Sequence, residues 1–203
     1  MPRSDAERPR SPKRGQTPAA DAQRARLLSA MATVAGERGW QGTTLKEVVA
    51  RARVSRRTIY DLYADKDECF LAACDVVTAG MVGLTTRAYR AEPSPRDGVD
   101  AALVAFLRYC ADRPAIARMY LAEMSIAGPA ATARWQAHME EMATLTGCAL
   151  GRVEPTLPPH APTMVIGSVY TVARTRVLAG RAGELPALAP ELTQAVWRLL
   201  GVK

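Results

Sequence analysis

Residues 44–63 spell out two short helices in immediate succession, each with its own start signal. Thr44-Leu45-Lys46-Glu47 has the form of a capping box, a hydroxyl acceptor followed three residues later by a carboxylate. Leu45, Val48 and Val49 then recur at helical spacing and give the first helix an apolar face. Ser55 can cap the second, where Ile59 and Leu62 repeat the inward spacing. Between them, Ala52-Arg53-Val54 supplies one apolar residue to pack in the angle. This is the helix-turn-helix pattern, in which the second helix reads the major groove of DNA. Here that helix opens Ser55-Arg56-Arg57-Thr58, two cations set beside a cap.

The flanks extend the pattern. Glu37-Arg38-Gly39-Trp40 ends a preceding helix at Gly39, and Thr43-Thr44 starts the next. Beyond the reading helix, Tyr63-Ala64-Asp65-Lys66-Asp67-Glu68 caps a fourth, with Asp65 and Glu68 spaced as another box. Taken together, the chain resembles the TetR family of one-component transcriptional regulators. The resemblance rests on Glu37 to Trp40, Thr43 and Thr44, Val54 and Ser55, Thr58 to Tyr60, Tyr63 and Lys66. It implies an all-α fold: an N-terminal three-helix DNA-binding domain, and a C-terminal helical domain for ligand binding and dimerisation. Two departures stand out. Arg53 occupies a turn position where the family usually has glycine, and a left-handed backbone there costs a non-glycine residue about 1–2 kcal/mol. Val49 stands where alanine is usual, a point of close helix approach.

Charge follows the motif. The net charge is +7 with a pI near 9.6, and residues 1–74 carry 14 Lys/Arg against 9 Asp/Glu, whereas residues 75–203 carry 13 against 11. The excess sits where phosphate contacts need it. On the reading helix and its neighbours, Thr43, Thr44, Ser55, Arg56, Arg57, Thr58, Tyr60, Tyr63 and Lys66 are the expected DNA-binding residues. Arginine can bond guanine edges bidentately, Thr44 and Lys66 stand at helix N-termini that attract phosphate, and Tyr63 either bonds a phosphate or packs. Residues 1–16 hold five basic residues among prolines and almost nothing apolar. They read as a disordered arm suited to tracking phosphates.

The remainder reads helix after helix, with residues 17–65 as the DNA-binding domain and 66–203 as the helical domain. A fourth helix from about Lys66 to Ala91 starts beside the reading helix and ends among the later ones, so it is the expected mechanical link. Further helices are expected over 97–112, 114–124, 130–150 and 163–179 and from about 190 onward, with proline-rich breaks between them. Phe106, Tyr109, Met119, Met124, Trp135, Met139, Met142 and Tyr170 form a set of aromatic and adaptable residues suited to a pocket, with Glu123, His138 and Arg174 as orienting groups. The resemblance implies a small apolar or amphipathic effector there. The last two helices are broadly apolar, and Val165, Val169, Val172, Val196, Leu199 and Leu200 are expected to build a two-fold homodimer interface as a four-helix bundle.

Other functions find little support. Two scattered histidines, no phosphate-cradling glycine loop and no metal-ligand spacing argue against an enzyme, a cofactor or a metal site. Cys69, Cys74, Cys110 and Cys148 match neither a zinc pattern nor a disulfide framework and read as small buried thiols. No run approaching twenty apolar residues is evident, and no secretory signal, so the chain is expected to be cytoplasmic. The expected function is a ligand-responsive regulator, most simply a repressor that binds a palindromic DNA operator as a dimer and is released by a small molecule. The alternative is a non-enzymatic helical protein-interaction module with a degenerate helix-turn-helix.

Overall fold

The structure, a computed structural model, describes residues 18–202. The expected basic arm lies outside the described residues. Helix α1 (Pro18–Gly42) buries Leu27, Leu28, Met31, Val34 and Ala35, a stripe at helical spacing. As expected, its regular winding breaks at Gly39, whose non-helical backbone (φ 74°, ψ 160°) only glycine adopts without strain, and a last short turn to Gly42 follows the kink. Helices α2 (Leu45–Ala52) and α3 (Arg56–Leu62) follow, packed on α1 through Val48, Val49 and Ile59.

Helix α4 (Lys66–Arg90) begins with a closed box: Glu68 N donates to Asp65 Oδ1 at 2.7 Å, and Ala64 N donates to Glu68 Oε2 at 2.6 Å. Its buried stripe of Phe70, Ala73, Cys74, Val77 and Met81 packs against α1 on one side and later helices on the other. By length and composition alone α4 is apolar enough to cross a bilayer, contrary to the reading above; that stripe makes it a core helix. Helix α5 (Pro95–Asp112) starts two residues earlier than expected, because Ser94 caps it and Pro95 suits the first helical position. A short α6 (Pro114–Arg118) runs directly into a π-helical turn at Met119–Glu123. Helices α7 (Pro129–Leu150), α8 (Ala161–Leu178) and α9 (Ala189–Leu199) complete the set, with a 3₁₀ turn at Ala182–Leu188 before α9.

One apolar core runs without interruption from α1 through α4 to α6 and the π turn, and α8, α9 and the end of α7 close a smaller second cluster around Leu150, Val165, Val169, Val196 and Trp197. Gly36 permits the closest approach: a Cβ there would collide with the Ala115 carbonyl of α6. The N-terminal helices are therefore seated directly on the element that leads into the π turn.

Candidate nucleic-acid interface and the cavity behind it

Both sequence-level caps form. Glu47 N donates to Thr44 Oγ1 at 3.3 Å, and the Thr44 hydroxyl reaches back to Glu47 Oε2 at 3.0 Å. Thr58 N donates to Ser55 Oγ at 3.1 Å, with the two hydroxyls 2.9 Å apart. Arg53 takes the left-handed conformation (φ 53°, ψ 47°), the one non-glycine residue with positive φ among the described residues. Its N–H and that of Val54 close α2 onto Ala50 and Val49 carbonyls, a compact cap bought with local strain. Val49 is buried in the shared core.

On α3, Arg56, Arg57 and Tyr60 project outward, Tyr60 with 61% of its surface exposed. Arg57 Nε lies 3.8 Å from Asp61 Oδ2 in a pair so exposed that it holds the arginine only loosely. The helix pair is braced from behind by Arg51, which donates twice to Glu37 on α1 at 2.9 and 2.6 Å.

Three expected DNA contacts have other partners. Thr43 is buried and donates its hydroxyl to the Gly39 carbonyl at 2.8 Å. Tyr63 is buried, with its hydroxyl accepting from Arg24 Nε at 3.1 Å; burial pushes that phenol's pKa up. Lys66 lies over the Trp40 ring at 4.0 Å and donates to the Thr43 carbonyl at 3.3 Å. All three frame the motif instead of facing outward, because the chain turns sharply at both ends of the helix pair and those turns need partners. Thr44, Ser55, Arg56, Arg57 and Tyr60 remain exposed, and Thr58 is half-buried.

Behind this domain, α4, α5, α7, α8 and α9 surround a cavity of about 320 Å³, within the range of small-molecule sites. Of the residues proposed for a pocket from sequence, Phe106, Met139, Met142 and Tyr170 line it. Tyr109, Met119, Glu123, Met124, Trp135, His138 and Arg174 do not. Met119 and Met124 are fully buried in the core, Arg113 lies over the Tyr109 ring, and the other four belong to the junction described below. Sequence reading missed Met81, Thr85 and Tyr89, which stand one turn apart on the inner face of α4, and the valines of α8.

The π turn joins the cavity to the DNA-binding domain. Its wide ring, closed by Met124 N on the Met119 carbonyl at 3.1 Å, leaves the Leu121 carbonyl to outside donors. Tyr170 Oη (2.7 Å) and Arg174 Nε (3.1 Å) of α8 both donate to it, and Trp135 Nε1 donates to Tyr170 Oη at 3.1 Å. Tyr120 lines the cavity and meets His138 Nε2 at 2.8 Å, while burial lowers the His138 pKa against a smaller opposing effect of Glu141. Glu123 points the other way: Trp40 N, just past the Gly39 break, donates to its Oε2 at 2.8 Å. Trp40 in turn stacks on Phe70 of α4 with ring centroids 4.3 Å apart.

The expected dimer residues need correction. Val165, Val169 and Val196 face inward, buried in the second cluster and lining the cavity. Val172 and Leu200 are half-buried. A stripe of valines at i, i+4 marks the inner face of α8, and because the helix is apolar all round, sequence alone did not separate the faces. The exposed face carries Met164, Gly167, Thr171 and Leu178 on α8, joined by Leu199 on α9. Cys148 also departs from expectation: it is exposed on the cavity wall, whereas Cys69, Cys74 and Cys110 are buried, with thiols pushed up to about 12. Among the described residues no cluster of metal-ligating side chains occurs.

A capped helix-turn-helix with an outward basic reading helix, on a body that is helical without strands among the described residues, is the architecture of a DNA-binding regulator. Residues 27–73 match the profile of the bacterial regulatory proteins of the tetR family. The solved structures that share the fold include the fatty acid degradation regulator FadR from Bacillus halodurans (15% identity, TM-score 0.77, covering 85% of this chain and 96% of that one). FadR from Bacillus subtilis, solved in complex with stearoyl-CoA, is 13% identical (TM-score 0.73, 85% and 96%). A TetR-like transcriptional regulator from Rhodococcus sp. RHA1 is 25% identical (TM-score 0.71, 89% and 97%). No curated protein matches the chain in sequence. The chain thus carries the tetR-type DNA-binding region over residues 27–73 and shares its overall fold with TetR-like transcriptional regulators.

Proposed function

We propose that the protein is a homodimeric repressor whose hold on a palindromic operator is released by an apolar or amphipathic small molecule in the α4–α9 cavity. The observation that carries this reading is the pairing of an exposed basic reading helix with a mostly apolar cavity one helix away. Two copies meet through the outward face of α8 and α9, where Met164, Leu178 and Leu199 are exposed and Gly167 leaves open space for a partner. That arrangement sets two reading helices on one side of the duplex, about a helical turn apart or more. The complex of the Bacillus subtilis FadR with stearoyl-CoA supports an acyl-type effector, since the same fold accommodates one there. A regulator of this kind works where its DNA is, in the cytoplasm.

Ligand acts by favouring one arrangement of the reading helices over another. Two connections carry the bias: α4, which begins beside α3 and lines the cavity further on, and the π turn, which touches the cavity through Tyr120 and α1 through Glu123. Selection of genomic fragments by the purified protein tests the reading. A palindromic fragment should be enriched, and Arg56→Glu with Arg57→Glu should abolish its binding while leaving the dimer intact. Unchanged enrichment by that variant would transfer the case to a protein-interaction module.

A further inference from the structure

The cavity wall has two zones. Inside it is apolar, formed by Met81, Leu103, Phe106, Met142, Val165 and Val169. Arg90, the last residue of α4, and Arg152, just beyond α7, also line it, and both are exposed. Neither side chain makes an ion pair or hydrogen bond with any described residue. Some other arginines of the helical domain are engaged: Arg134 on Asp75, Arg174 on the Leu121 carbonyl, Arg176 on Glu184. The carboxylate on the wall, Asp100, has Oδ1 held by Trp197 Nε1 at 2.7 Å, and burial pushes its pKa up against the opposing effects of that bond and Arg96. The polar zone is thus positive, with two guanidinium forks unspent.

We infer that the cavity takes an amphiphile with an apolar chain and an anionic head, and that Arg90 and Arg152 hold the head. This rests on the effector-cavity reading above and names the ligand's charge. A cationic head would face two unpaired guanidiniums. A neutral head leaves both forks unused. An anionic oxygen group gains charge-assisted, potentially bidentate bonds from them. Carboxylate and phosphate share this chemistry, so a free acid and an acyl thioester of coenzyme A are its two sources.

Cys148 makes the inference testable, because it stands on the same wall, one turn before Arg152, and is exposed while the other three thiols are buried. The full-length protein is titrated with decanoate, decanol, decyltrimethylammonium and decanoyl-CoA, reading calorimetric affinity and protection of Cys148 from iodoacetamide. Decanoate or decanoyl-CoA should protect Cys148 and bind at least tenfold more tightly than decanol, and the cation should bind most weakly. Arg90→Gln and Arg152→Gln, both at exposed positions, should each weaken the anion about three- to tenfold and leave decanol unchanged. The double variant should lose the preference for charge. Protection by the thioester alone would assign the head to phosphate; protection by the acid would assign it to carboxylate. Equal binding of acid, thioester and alcohol, or a preference untouched by both substitutions, overturns the anionic head while leaving the cavity in place. Failure of every probe, decanol included, to protect Cys148 overturns the effector cavity itself.

Discussion

Glu123 offers the sharpest test of how the two halves of this regulator are joined. Its carboxylate is nearly buried, accepts the Trp40 N–H at 2.8 Å, and has Arg118 Nε, otherwise unpartnered, 3.9 Å from its second oxygen. A hydrogen bond to a charged group contributes about 1.5–3 kcal/mol, and a stranded buried N–H costs about 1–3 kcal/mol. The ion pair adds little, since the Arg118 side chain is 43% exposed and can turn to water. Glu123→Ala should therefore cost about 2–4 kcal/mol, or roughly 4–16 °C in Tm for a chain of this size. Glu123→Gln keeps an acceptor for Trp40 and should cost about 1 kcal/mol. Urea denaturation at fixed protomer concentration measures both. The same variants are then compared with wild type for DNA affinity with and without a cavity ligand. If the π turn conveys the ligand's presence, the ligand-induced change in affinity should shrink by about 0.5–2 kcal/mol, even in the mild glutamine variant. A Glu123→Ala protein within about 0.5 kcal/mol of wild type, well under one such hydrogen bond, would refute the strut. Lost stability with an unaltered ligand response would leave coupling to α4 alone.

Other expectations are simpler. Replacing the left-handed Arg53 by glycine should relieve about 1 kcal/mol of strain, partly offset by glycine's greater freedom when unfolded, so a small rise in Tm is expected and a fall would count against it. His138, whose pKa burial holds below 6.5, is neutral when folded, and the unfolded chain binds the extra proton. Its contribution is present above pH 6.5 and is lost as pH falls from there toward the lowered folded value; His138→Gln should flatten the fall in stability on the acid side of pH 6.5. Native protein should take up one equivalent of iodoacetamide, at Cys148, and three more only on unfolding. DNA binding should fall steeply between about 50 and 200 mM salt, and a flat response would contradict phosphate neutralisation.

The helix-turn-helix was legible because its signals are local. Thr44, Ser55 and Asp65 cap their own neighbours, and the spacing of Val48, Val49 and Ile59 states which face is inward. Position along the chain does not disclose that the Gly39 and Thr43 carbonyls stand within reach of Thr43 and Lys66 and give them internal partners. The cavity was half-visible. Aromatic and methionine content flagged α5 and α7, but whether Met119 or Met142 faces the opening depends on packing between distant helices. On α8, nearly uniform apolarity erased the amphipathic signal, so its inner valines were taken for an outer surface. Nothing local announces the π turn either: Met119-Tyr120-Leu121-Ala122-Glu123 reads as ordinary helix, and its widening answers to the donors waiting on α8.

That widening carries a geometric consequence. In a regular α-helix, residues three apart emerge on nearly the same side, so Tyr120 and Glu123 would look toward one neighbour. The looser winding fans them apart, and a single five-residue stretch can address two separate bodies at once. Excising Ala122 would restore ordinary winding and swing the carboxylate away from Trp40, cutting this one connection while α4 still joins the two parts.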